Sequence, residues 1–533
     1  MTTVPATSTG EATGEAAGLV ASPSKRWGAL VVLCVASLII TIDQLIVAVT
    51  LPTLVRELGA TASQLQWIVD AYILVFAVLL LAAGSLADRF GRRRVLIIGL
   101  AWFAAASAVA SLSTTPGQLI AARAVMGVGA ALIFPTTLAA ISDMFRDRKE
   151  KTLAIGCWSA TSGVAVAAGP IVGGFLVEHF HWGSVFLVNV PIALAGIVGA
   201  MLLVRESTNP EFGTLDLPGM GLSILGLVAL VAAIIEAPHL GWTSPLVLAA
   251  FALAAVTTAA FITWERRASH PMLDLRFFRD ARFRGGNLAV LVAQAMVFAL
   301  LLLGVQYLQF VLDLSPLDTG LALLPFALAT TVGAPVSTLV AGRIGYRPVI
   351  TTGLVGMVVA SALLGEVDAS SPYSQLAVAM VVCGVAFGTV VGPSTEAVMS
   401  SLPEKYAGVG SATNDTTREV GGAFGVAIGG SLAASAYTAA LDVGFAGSPM
   451  PAEGAAAAKE SIGAADEVAR LAGLQFGDGA AAWVSGIADA AFMDGFAVAM
   501  RSMAAIGAVT ALVVVATLPA RRKQSSEPME LDG

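Results

Sequence analysis

Charge is what this 533-residue chain has least of: Asp, Glu, Lys and Arg make up 12% of it, against 57% hydrophobic residues. A water-soluble surface cannot be assembled from that inventory, so the apolar faces must meet lipid. Cysteine is scarce as well. Cys34, Cys157 and Cys383 fall in apolar runs with no CxxC spacing, which argues against a disulfide framework or a thiolate metal site and leaves three small core residues. The four histidines, His179, His181, His239 and His270, fall outside the apolar runs and are expected in loops, so none is placed to carry a proton inside a run. There is no GxxxxGK[ST] phosphate loop, no catalytic triad and no metal-ligand spacing, so ATP-driven work and the common enzyme chemistries are not expected. Residues 1–24 have no apolar h-region and are rich in Thr, Ala, Gly and Ser, which reads as a disordered tail and not a signal peptide. The net charge of −7 arises from one long loop and the tails, so no nucleic-acid partner is indicated.

What is present is apolar length. Fourteen runs, near 28–50, 67–86, 95–113, 118–142, 152–176, 183–204, 217–236, 245–264, 286–311, 320–342, 348–366, 375–399, 408–435 and 497–519, each approach or reach the roughly 20 residues that cross a bilayer. With an even number of spans both termini share one side. Short basic loops place that side in the cytoplasm, since 23 of the 29 Lys and Arg fall on it. The expected organisation is a cytoplasmic tail (1–27), six helices (28–204), two inserted helices (205–264), a cytoplasmic interfacial segment (265–285) whose Arg, Phe and Leu mixture suggests an interfacial helix, and six more helices (286–519). A cytoplasmic tail (520–533) follows, and the one long extracytoplasmic loop is 436–494. The fold class is all-α, integral to the membrane.

The densest signal is the charged turn at 84–94, containing Gly84, Leu86, Asp88, Arg89, Gly91 and Arg92, between two spans. A degenerate copy recurs at 340–349, with Arg343, Gly345 and Arg347 where Arg89, Gly91 and Arg93 stand and Gly342 in place of Asp88, as two homologous six-helix halves would leave.

The 84–94 turn resembles the signature loop of the major facilitator superfamily. Residues 42–52, from Ile42 through Asp43 to Pro52, resemble the first-helix motif of its fourteen-helix drug/proton antiporters. Arg123 with Gly127 and Gly129 resembles the fourth-helix motif, and 163–174, carrying Gly169, Pro170, Gly173 and Gly174, the fifth-helix antiporter motif. The segment 66–72, with Trp67, Asp70 and Tyr72, is similar to that of multidrug and quaternary-ammonium pumps. The chain departs from the pattern at Leu45, where a Thr is usual, and at Asn414, where such pumps can carry another acid. The resemblance implies a bacterial cytoplasmic-membrane exporter driven by the proton gradient, with no cofactor and no metal, working as a monomer on hydrophobic, cationic drugs or antiseptics. It also implies gating roles for Gly84, Asp88, Arg89, Gly91, Arg92 and the 169–174 glycines. A dedicated exporter of one metabolite or self-made antibiotic is the alternative, and a non-transporting scaffold or sensor is the alternative of another class.

Physics assigns the intramembrane charges. An uncompensated charge in hydrocarbon costs about 2.5–3.5 kcal/mol on insertion scales, so Asp43, Asp70, Arg123, Asp415, Arg418 and Glu419 must face partners or a cavity. A carboxylate whose contact with a cation changes between conformations takes up and releases a proton, the role expected for Asp43 and Arg123, with Glu419 as a further proton or cation group. A static Asp43–Arg123 bridge that only orients helices is the plainer reading. Asp415 and Glu419 lie four apart on one helix face, a pair expected to attract a cationic substrate, although Arg418 competes for Asp415 and a local ion pair is its plainer reading. Asp70 with Trp67 and Tyr72 beside it in sequence offers a carboxylate near aromatic faces, the combination that holds a lipophilic cation. Axial rise puts Asp43 about 12 Å inside the outer end of its span.

Overall fold

The computed structural model describes residues 23–145, 147–208, 216–268, 271, 273, 275–402, 407–448 and 450–519. The tail calls at 1–22 and 520–533 lie outside them. Fourteen helical spans are long and apolar enough to cross a membrane, and no strand is present among the described residues. We call the side carrying the 84–94 turn the inner side.

The first half runs α1 (Pro23–Leu58), α2 (Ala62–Phe90), α3 (Arg92–Ser111), α4 (Pro116–Met144), α5 (Arg148–His179) and a sixth span made of the short α6 (Ser184–Leu187) and α7 (Asn189–Leu203). The inserted pair is α8 (Leu217–Leu240) and α9 (Pro245–Glu265). The second half runs α10 (Ala281–Gln306), which continues through a π-helical turn at Tyr307–Val311, then α11 (Pro316–Ala322), α12 (Leu324–Ile344), α13 (Tyr346–Leu364), α14 (Tyr373–Met399), α15 (Ala407–Gly444), α16 (Ala452–Glu460), α17 (Ile462–Phe476) and α18 (Asp478–Thr517).

Local chemistry sets the helix ends. Thr61 and Gln64 form a reciprocal capping box at the start of α2, and Asp147 accepts from the amides of Lys149 and Glu150 at the start of α5. The two signature turns keep their twofold kinship in the backbone. Gly91 and Gly345 take φ of 106° and 96°, a left-handed conformation that a side chain resists, and each joins two spans without a loop.

Three segments differ from the sequence reading. The 436–494 stretch is largely helical: α15 continues to Gly444, α16 and α17 form two short helices, and α18 begins at Asp478, so its 40 residues extend well beyond the apolar run. Ala-rich composition hid this, because Ala favours helix without marking a face. In the 265–285 segment α9 ends at Glu265 and α10 already starts at Ala281; between them the described residues form only one 3-10 turn, Leu275–Arg279, and Phe277 is buried against Phe283 and Val398 instead of lying on a lipid surface. Finally, α1 continues through Pro52 to Leu58, which places Asp43 about 22 Å along the axis from its outer tip instead of about 12 Å.

The halves meet mainly at the outer side and at the centre. On α5, Gly174 lies against the backbone of Pro316 and Leu317, and Gly320 on α11 lies against the Pro170 carbonyl. A Cβ at either glycine would collide with backbone, so glycine is what lets these helices touch. Gln309 Nε2 donates to the Val49 carbonyl (2.9 Å) and Gln44 Nε2 to Glu419 Oε2 (3.0 Å) across the same interface. Toward the inner side, Leu153 and Cys157 on α5 are exposed, so of the three cysteines expected in the core only Cys383 is buried, with Cys34 half-buried. The two halves close on each other at the outer side.

Candidate functional site

The centre of the first half is a buried ion pair. Asp43 and Arg123 are 0% and 1% exposed, and Arg123 Nη1 donates to Asp43 Oδ2. Two helices hold the guanidinium, α1 through Asp43 and α2, where its Nε donates to the Ile68 carbonyl (3.1 Å) and its charge lies 4.2 Å above the Tyr72 ring. A cation on an aromatic face in a dry site gains about 2 kcal/mol or more. The second oxygen of Asp43 accepts from Asn189 Nδ2 (2.7 Å), which also reaches Ser107 Oγ (3.4 Å). Gly169 and Gly173 of α5 lie against Leu45 and Ile46, so close helix packing dries the pair on that flank.

Asp70 is equally buried, and both its carboxylate oxygens lack a hydrogen-bond partner. An orphaned carboxylate in an apolar site is costly unless it takes up a proton or a cation. Its sequence neighbours do not form one cage with it. Tyr72, about 200° around the helix from Asp70, belongs to the Arg123 side, and its hydroxyl is unpartnered. Trp67 turns to the inserted pair, where its Nε1 donates to Glu236 Oε1 on α8 (2.9 Å). Gln66, one turn outward of Asp70, lies against Gly430 of α15.

In the second half, Glu419 holds Gln44 of α1 and thereby sits one residue from the Asp43–Arg123 pair. Asp415 takes a hydrogen bond from Ser411. Arg418 turns to α14, where Nη2 donates to Thr395 Oγ1 (2.8 Å), and no Asp415–Arg418 ion pair forms among the described residues. Thr395 and Asn414 are linked (3.1 Å), and Asn414 reaches Asn287 of α10 (3.3 Å).

The charged turn is tied inside its own half. Arg92 grips Asp88 (2.7 Å) and approaches Asp143 at the end of α4 (3.9 Å), while Arg93 and Arg94 face Glu206 beyond α7 (3.8 and 3.6 Å). A Cβ on Gly91 would strike the Glu206 carboxylate. Gly84 packs toward Pro135 of α4, and Arg89 lies over the Phe90 ring.

Sequence reasoning passed over Asn189, Glu206, Glu236 and Glu396. Glu236 and Glu396 carry the signal used for the other acids, a carboxylate within an apolar run, and Glu396 keeps one buried oxygen unpartnered. Asn189 gave only a single neutral amide in an apolar run, which becomes meaningful once it is seen against Asp43.

Two pseudo-symmetric helix bundles with buried charges at their junction define a multi-pass membrane transporter. The chain belongs to the Major Facilitator Superfamily, whose family model matches residues 33–426. It is 37% identical over 448 residues to the multidrug efflux pump LfrA of Mycolicibacterium smegmatis, covering 84% of this chain and 88% of that one. It is 33% identical over 452 residues to the methyl viologen resistance protein SmvA of Salmonella typhimurium, with 84% and 89% covered. It is 32% identical over 504 residues to the tetracenomycin C resistance and export protein of Streptomyces glaucescens, with 92% of each covered. Among solved structures it resembles a bacterial homologue of the human lysosomal transporter Spinster in an inward-facing, unoccupied conformation, with TM-score 0.65, 14% identity, and 93% and 98% of the two chains covered.

Proposed function

We propose that this protein is a proton-coupled antiporter that exports hydrophobic cationic drugs or antiseptics by alternating access. It works as a monomer in the bacterial cytoplasmic membrane, with both termini inside. The observation that carries the reading is the Asp43–Arg123 pair, fully buried yet one residue from a side chain, Gln44, that bonds the opposite half. Rocking the halves breaks Gln44–Glu419, the tie that holds α1 beside Asp43 to the opposite half, and so frees α1 to shift against α4 within its own half. A carboxylate that loses its cation in a dry site takes a proton, and one that regains it gives the proton up. Asp70, with no internal partner, supplies the charge a cationic substrate would meet. Relatives named for single antibiotics make a dedicated exporter the second reading, but a neutral compound would leave the Asp70 carboxylate uncompensated.

The test is the energy source. One proton moving inward supplies about 2.3 kcal/mol per 100 mV besides its pH term. Dissipating the gradient with an uncoupler should abolish dye efflux from cells, whereas depleting ATP at a preserved gradient should leave it running; the reverse pattern would sink the antiporter reading.

A further inference from the structure

Asn189 faces Asp43 with only half of its amide engaged. It is fully buried at the start of α7, its Nδ2 donates to Asp43 Oδ1 (2.7 Å), and its own Oδ1 is buried without a partner. With Arg123 on the other oxygen, each oxygen of Asp43 has a donor, which suits the carboxylate. Protonated Asp43 needs the opposite, an acceptor for its hydroxyl, and neither a guanidinium nor an amide N–H can accept. The ionisable groups around Asp43 are Arg123 from α4, Tyr72 from α2 above that guanidinium, and Glu419 from α15 through Gln44. Ser107 of α3 bonds Asn189, and α5 presents Gly169 and Gly173 to α1.

The unpartnered Oδ1 supplies the missing acceptor. Rotation about the terminal torsion of an Asn side chain is soft and nearly twofold, so a half-turn exchanges the NH2 for the carbonyl without moving the helix. Resting on the reading that Asp43 carries the proton, we propose that Asn189 is a positioning residue that donates to the Asp43 carboxylate and, after a half-turn of its amide, accepts from the Asp43 hydroxyl. Each state leaves one amide atom unsatisfied, so neither protonation state of Asp43 is held exclusively.

The experiment uses the full chain in proteoliposomes, with gradient-driven transport of a fluorescent cationic dye measured across pH. Asn189→Leu keeps the branched heavy-atom skeleton, in somewhat more volume, and removes donor and acceptor. It should slow transport at least tenfold and move the pH midpoint upward by about one unit, because the carboxylate loses a charge-assisted donor. Dye binding at equilibrium should change less than threefold. Asn189→Ser, whose hydroxyl both donates and accepts, should restore the midpoint. Asn189→Ala makes the same measurement if leucine prevents folding. An unmoved midpoint in a folded Leu or Ala variant overturns the role of Asn189, whereas undiminished coupled transport by Asp43→Asn removes the reading beneath it.

Discussion

The Asp43–Arg123 pair sets a test at the level of single side chains. Removing one partner of a buried pair leaves an uncompensated charge and costs about 3–5 kcal/mol, so Asp43→Asn and Arg123→Gln should each lower thermal stability. The double variant, which has neither charge, should recover most of that loss and still fail in gradient-driven efflux. If the double variant pumped normally, the pair would be a static bridge. Asp70 calls for a different measurement. Asp70→Asn should reduce export of dicationic substrates most, monocations less and neutral compounds least, since only a cation is compensated by the carboxylate. Equal losses across the three classes, read from a resistance panel, would assign Asp70 to folding or gating.

At the scale of elements, the outer contact between α5 and α11 depends on bare backbone. Gly174→Val places branched carbons against Pro316 and Leu317 and should cost the closed outer side about 1–3 kcal/mol. Spin labels on the outer ends of α5 and α11 should then report a longer mean separation than in the parent. The cap helix α17 offers a pH test outside the membrane. Gly463 of α17 lies against Val55 of α1 and Phe310, and Arg56 lies over the Phe310 ring. Asp466 stays within reach of solvent. Even so, desolvation, with help from Asp313 and Glu467, raises its carboxyl above the ordinary range against the pull of Arg56. A carboxyl with a raised value in the folded state favours that state below its unfolded value and withdraws the support as pH climbs through the raised one. Hydrogen exchange over 462–476, corrected for intrinsic rates, should therefore show more protection at pH 4 than at pH 7, and Asp466→Asn should erase the difference. The elements legible in sequence were those with long apolar runs or charged turns, such as α2 and α3 about Gly91. The cap helices were not, because at 9 and 15 residues they fall short of a span, although Ser461 and Gly477 bracket α17 as start and stop signals.

For the whole molecule, the 6 + 2 + 6 order was readable because bilayer thickness fixes span length and because basic loops mark one side. The positions of acids were readable for the same reason, since a charge among apolar residues stands out. Their partners were not: Glu419 meets Gln44 across 375 positions, and Trp67 meets Glu236 across 169. No local pattern encodes such pairings, which arise only when helices distant in sequence pack together. The inserted helices show the cost of that blindness most clearly, since their sequence reads simply as two further spans. In the structure α8 bonds Trp67 of the first half and, through the Ile234 carbonyl, Ser431 of the second (2.7 Å). Any motion that parts α2 from α15 must therefore tear α8 from one of them. The bundle carries a splint along one edge, so its two flanks are mechanically unequal.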